Sequence, residues 1–188
     1  MRPVFAMPAL FCLAAIWLPD WPRLVGAFPG HMLRHMGLVA IAAPLIVLGW
    51  PATTRHALPV ILAAAFEAVV VWGAHLPQLH AAARLGTAPF VLEQGLFLLA
   101  GVAVWAGALQ PQAPLAGAGG LLLASMHMTL LGTIIILAPS DIYAALCGVA
   151  PDLSGQQMGG MVMLAIGTPI YLAGGLALTA QALRAGAA

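Results

Sequence analysis

Charge is what this sequence has least of. Of 188 residues, 6% are charged and 63% hydrophobic, and the mean hydropathy is +1.04. A soluble domain carries about 25% charged residues. Too few charges are present to coat a soluble surface, so the chain reads as an all-α integral membrane protein in contact with membrane lipid. The net charge of +1 leaves no basic run for nucleic acid. Cysteine, with two residues, is also scarce. Cys12 and Cys147 stand far apart and form no C-x-x-C, which excludes a cysteine-type metal motif and leaves disulfide pairing open. No phosphate loop and no nucleophile-base arrangement is visible, so nothing in the residues argues for an enzyme. No internal repeat is visible either, which disfavours an inverted-repeat transporter.

What is present is a series of apolar runs separated by loops bearing proline or charge. They cover about 3–18, 31–49, 58–74, 90–109, 115–137 and 156–183. They do not alternate polar and apolar residues as barrel strands do. The expectation is a single domain, residues 1–188, forming a bundle of six transmembrane helices with both termini cytoplasmic. The first run follows Arg2 and ends at Pro19-Asp20-Trp21-Pro22. It reads as a short span or as a signal peptide, and the span is preferred because no clean A-x-A site precedes a polar start. Pro44 frees a carbonyl one turn earlier and predicts a bend in the second span. The stretches 23–30, 78–89 and 139–155 read as loops. Gly155, Gly159, Gly160, Gly167, Gly174 and Gly175 provide small faces for close packing of the last helix. Arg2, Arg55 and Arg184 fall on one side and Arg23, Arg34 and Arg84 on the other, a tie under the positive-inside rule.

Span order carries more information than charge. Consecutive spans alternate in direction. The start of the second span, the end of the third, the start of the fourth, the end of the fifth and the start of the sixth therefore share one membrane face. Those places hold His31, His35, His75, His80, Glu93, Asp141, Gln156 and Gln157, while His56 lies opposite. His31 and His35 are one helical turn apart, a spacing at which two side chains can hold one ion. Met32 and Met36 line the neighbouring face, and Met158, Met161 and Met163 lie in the same half. Imidazole with thioether is a copper-compatible donor set. Methionine is also a common packing residue, and histidines at a membrane edge are often merely solvated. Glu67 and Met126-His127-Met128 sit near mid-depth, where an ionisable group is costly and usually has a partner. Glu67 and His127 are candidates to pair with each other, and a neutral His127 bonded to a carbonyl is the competing account.

Several segments also resemble one family. His31-Met32-Leu33-Arg34-His35, followed by Pro44, is similar to its H-M-L-x-H helix. Trp72-Gly73-Ala74-His75-Leu76-Pro77 is similar to its W-x-x-H-x-P helix end. Leu92-Glu93-Gln94, with Phe97 and Trp105 after it, resembles its E-H helix start. Tyr143 falls in its loop-tyrosine region, and Gln156-Gln157-Met158-Gly159-Gly160 resembles its D-Q-x-x-x-G helix start. The family is the polytopic CtaG-type cytochrome c oxidase assembly factors of caa-type oxidases, which is distinct from the single-span copper protein of the same name. The resemblance runs from about Gly30 to Leu176. Gln94 stands where the family has the histidine of E-H, and Gly155 where it has the aspartate. Relatives commonly have seven spans where six are read here.

The resemblance implies a non-enzymatic helper in maturing a haem-copper oxidase, in the bacterial inner membrane, with cytochrome c oxidase subunits as partners. It implies support of copper insertion at the periplasmic face. On this reading His31, His35, Met36 and His75 are the metal ligands. Glu93, Gln156, Gln157, Trp72 and Tyr143 are supporting polar groups, and His127, Met126, Met128 and Glu67 are intramembrane candidates. Glu93 suits orienting a histidine better than binding Cu(I), since carboxylates are hard ligands. Two alternatives stand beside it: a haem-binding electron carrier using His35 and His75 as axial ligands, and a metal-free accessory subunit of an oxidase.

Overall fold

Inside a bilayer, backbone N–H and C=O groups have no water to bond, so a chain this apolar must bond them within each segment. The computed structural model, which describes residues 1–186, does this with helices, and among the described residues there is no β-strand. In chain order the helices are α1 (Pro3–Trp17), α2 (Trp21–Val25), α3 (Ala27–Met36), α4 (Ala43–Gly49), α5 (Val60–Ala74), α6 (Pro77–Leu85), α7 (Thr87–Ala108), α8 (Pro114–Leu137), α9 (Ala144–Cys147) and α10 (Leu153–Gly186). A π-helical turn, Gly37–Ala42, joins α3 and α4 into one rod of 23 residues, and a short 3-10 turn, Pro51–His56, follows it.

Among the described residues, four helices are long and apolar enough to cross a membrane: Ala27–Gly49, Thr87–Ala108, Pro114–Leu137 and Leu153–Ala185. The pair α5 and α6, bent by 72°, makes a fifth if it is one broken span. The first apolar run forms α1, whose 15 residues reach about 22 Å at 1.5 Å per residue, short of a hydrocarbon core of about 30 Å. It lies along the Ala27–Gly49 rod. The Arg2 N–H bonds the Gly49 carbonyl at 2.7 Å, and Ala6 and Ile16 stand against Gly49 and Gly37.

Three stretches read as loops contain helix. Residues 78–89 hold most of α6 and the start of α7. Pro77 starts α6 well, because its missing N–H is one of the unbonded donors of a first turn, and Ala81 to Ala83 favour helix. Residues 23–30 hold the end of α2 and the start of α3, divided at Gly26, whose φ of 98° is a glycine conformation. The 139–155 stretch contains α9, closed by Gly148 at φ 66°, and the first turn of α10. There Asp152 accepts the Gly155 N–H at 2.9 Å as an N-cap.

The core of the bundle is made by close helix approach. Gly101 of α7 rides on the Val39 backbone, with only 2.8 Å between the Val39 Cα and the place a Cβ would occupy. Gly160 of α10 sits similarly on the Gly132 carbonyl of α8, and Gly174 on the Trp105 ring.

Candidate metal centre

The site grows out of the break between α5 and α6. Pro77 cannot extend α5, and His75 caps it, with its own N–H on the Val71 and Trp72 carbonyls at 3.2 Å. The chain turns by 72° there, so His80, one turn into α6, folds back beneath the helix that carries His31 and His35. The rings of His31 and His80 are 4.7 Å apart, those of His31 and His75 5.4 Å, and those of His35 and His75 5.1 Å, between centroids. All four histidines are buried. Phe97 of α7 stacks on His35 at 4.1 Å, and Phe28 flanks both His31 and His80, at 6.0 and 5.4 Å.

Glu93 of α7 closes the cluster. Its Oε2 lies 3.6 Å from His31 Nδ1, longer than a hydrogen bond, and accepts the Gln94 side-chain N–H at 3.3 Å. Single ligand atoms of His31, His80 and Glu93 lie within 4.8 Å of one another. His75 Nδ1 is 2.7 Å from the Val71 carbonyl, so it carries the proton and Nε2 is the lone pair. That is the arrangement in which a ligating histidine is oriented by a backbone carbonyl. His75 Nε2, His31 Nε2, both nitrogens of His35 and Nδ1 of His80 are buried with no hydrogen-bond partner. Unpaired buried polar atoms at this density are costly, and a cation bound among them removes the cost. A cleft of about 290 Å³, lined by His31, Arg34, Arg84, Thr87, Phe90 and Glu93, opens on the His31 and Glu93 side of the cluster.

The loop above is rigidly built. Tyr143 donates its O–H to the His75 carbonyl at 3.1 Å, and its ring packs on Phe28 at 4.7 Å and His80 at 4.6 Å. Burial pushes the Tyr143 phenol up, and the nearby Asp141 carboxylate adds to this. Asp141 takes the N–H groups of Tyr143, Ala144 and Asp152 at 2.8 to 3.0 Å. Partial burial raises its carboxyl, but those backbone donors outweigh it and hold Asp141 below the usual carboxylate range. Gln156 bonds the Ile142 N–H and the Ile135 carbonyl, and Gln157 the Ile136 carbonyl, which ties the loop and α10 to the end of α8.

The other residues singled out in the sequence lie elsewhere. Met36 is buried with its sulfur over Gly167 of α10, next to that of Met128. Met126 is 60% exposed on the outside of the bundle, and Trp72 is also on the outside. Gln94 bonds Glu93 and accepts the Trp17 indole N–H at 3.4 Å, so the residue in the place of a histidine joins α1 to the site. A side chain at Gly155 would run into the Asp152 carboxylate. Glu67 and His127 do approach each other, with Oε2 and Nε2 3.6 Å apart. Sequence reasoning missed their third partner, Tyr171, which donates to Glu67 Oε1 at 2.6 Å. The available signal was a tyrosine at mid-span, two residues after Pro169.

Fold and site together define a polytopic membrane protein with a buried histidine and carboxylate cluster near one end of its bundle. The model of the family described as cytochrome c oxidase caa3 assembly factor matches residues 4–185, and the chain belongs to that family. No curated protein and no solved structure matches the chain.

Proposed function

We propose that this protein serves assembly of a caa3-type oxidase by holding a copper ion in the histidine cluster, at the periplasmic face of a bacterial inner membrane. The oxidase subunit that receives the ion is the partner. The observation that carries this reading is the convergence of His31, His35, His75 and His80 with Glu93, all buried, with imidazole nitrogens unpartnered. Imidazole suits both oxidation states of copper. His31, His80 and His75 supply nitrogen donors. Glu93 orients His31 through Nδ1 or takes a coordination position itself. Met36, turned to α10, lies outside this donor set. The geometry favours an ion over a haem, because the His35 ring already stacks on Phe97 at 4.1 Å with the His75 ring 5.1 Å away, and a macrocycle would have to force those rings apart.

The test is metal analysis of anaerobically purified protein loaded with Cu(I), alongside oxidase activity in membranes. His31→Ala with His80→Ala, and separately His31→Ala with His35→Ala, should lower copper stoichiometry and oxidase activity at unchanged protein level. Copper binding and full oxidase activity equal to the parent in both would overturn the site and leave a metal-free scaffold.

A further inference from the structure

Glu67 is wholly buried at the middle of α5, in the core of the bundle. Its Oε1 accepts from Tyr171, while its Oε2 has no hydrogen-bond partner and faces His127 Nε2 at 3.6 Å. Both His127 nitrogens also lack partners. An ionised carboxylate beside a neutral imidazole would be an uncompensated charge in a low-dielectric interior. The pair is at ease in two forms, a carboxylic acid beside neutral His127 or a carboxylate beside imidazolium. Both carry one proton more than the ionised carboxylate with neutral imidazole.

We propose that Glu67 and His127 form a proton-binding site in the membrane core that releases its proton when a cation occupies the histidine cluster. The exchange rests on the reading of that cluster as a cation site. The titratable groups facing Glu67 are His127 from α8 and Tyr171 from α10, and His35 stands about one turn before Val39, whose carbonyl is reached by the same Tyr171 hydroxyl that bonds Glu67. A cation among His31, His35, His75 and His80 therefore adds positive charge on the side of the pair where His35 stands. Charge balances with one monovalent ion in and one proton out to water.

Tyr171 connects the same site to the histidine-bearing helix. Its hydroxyl has one proton and two acceptors in reach, Glu67 Oε1 at 2.6 Å and the Val39 carbonyl at 3.3 Å. With Glu67 ionised, Tyr171 donates to the carboxylate. With Glu67 protonated, the carboxylic acid donates to Tyr171 and Tyr171 donates to Val39. Val39 lies in the π turn that continues α3, so the proton on Glu67 determines a hydrogen bond onto the rod carrying His31 and His35.

Ag(I), a soft cation of fixed valence, is the probe. In weakly buffered detergent solution with a pH indicator, the wild-type protein should release about one proton more per Ag(I) bound than Glu67→Gln does. The glutamine amide keeps the acceptor for Tyr171, and Ag(I) stoichiometry should be unchanged. Because Glu93 can release a proton of its own, the difference between the two proteins is the quantity read. Equal release at equal stoichiometry overturns the exchange alone, and a wild-type protein that binds no Ag(I) overturns the cluster reading together with it. Infrared difference spectra of the metal-free proteins form an independent arm. A protonated carboxyl band present in wild type and absent from Glu67→Gln supports the proton site. Absence of that band, with no imidazolium signal that disappears in His127→Gln, overturns it.

Discussion

The indole N–H of Trp105 crosses from α7 to the Val39 carbonyl at 3.1 Å. The reason lies in the π turn. The Ala43 N–H bonds the Leu38 carbonyl five residues back, and the next bond in that register would need an N–H on residue 44. That residue is Pro44, so Val39 is left without a helical donor. Trp105→Phe should therefore lower stability by about 1–3 kcal/mol, the usual penalty for an unpaired buried acceptor. Thermal unfolding in detergent reads this directly. An unchanged midpoint would mean that Tyr171 supplies the bond unaided.

Glycine contacts divide into those that hold helices together and those that do not. A methyl group on Gly101 would meet Val39 backbone, which has no flexible end to move. Gly101→Ala should destabilise the bundle by about 1–3 kcal/mol through overpacking. Gly95, on the same helix, has nothing within 4 Å. Gly95→Ala should leave stability unchanged or raise it slightly by helix propensity. Parallel unfolding curves of the two variants check the contrast, and equal effects would contradict the packing of α7 on the π turn.

Tyr143→Phe removes the O–H that holds the His75 carbonyl and keeps the ring on Phe28 and His80. The expected cost is about 0.5–1.5 kcal/mol of stability, with cation affinity reduced less than in Tyr143→Ala, which also loses the ring. Titrating both variants with Cu(I) under a competing chelator tests the order. A phenylalanine variant as weak as the alanine one would assign the effect to the hydroxyl.

Asp141 makes the loop acid-sensitive. Its carboxyl is held below the ordinary carboxylate range in the folded protein, so it contributes stability above the unfolded-state value, about 4, and loses it as pH falls through the lower folded value. Asp141→Asn should lower the unfolding midpoint at neutral pH. The gap to wild type should close as the pH drops below about 4. A gap of constant size from neutral to strongly acid pH would exclude ionisation as the cause.

Composition alone decided that this chain lives in lipid, because bulk transfer free energy depends on how many apolar residues a segment holds and hardly on their order. Span order alone decided that His31, His75 and Glu93 belong at one end of the bundle, because antiparallel rods must return there. Rotation about each helix axis was beyond its reach. Each residue turns a side chain by about 100°, and a π turn inserts an extra residue into the count. Tertiary packing therefore decided that His80 folds back on α6 to join the cluster, that the Met36 sulfur lies over Gly167 instead, and that Tyr171 reaches Glu67 across 104 residues of sequence. These outcomes depend on where Gly101, Gly160 and Gly167 let backbones and side chains approach, and that is fixed by contacts between helices and by no one segment read by itself.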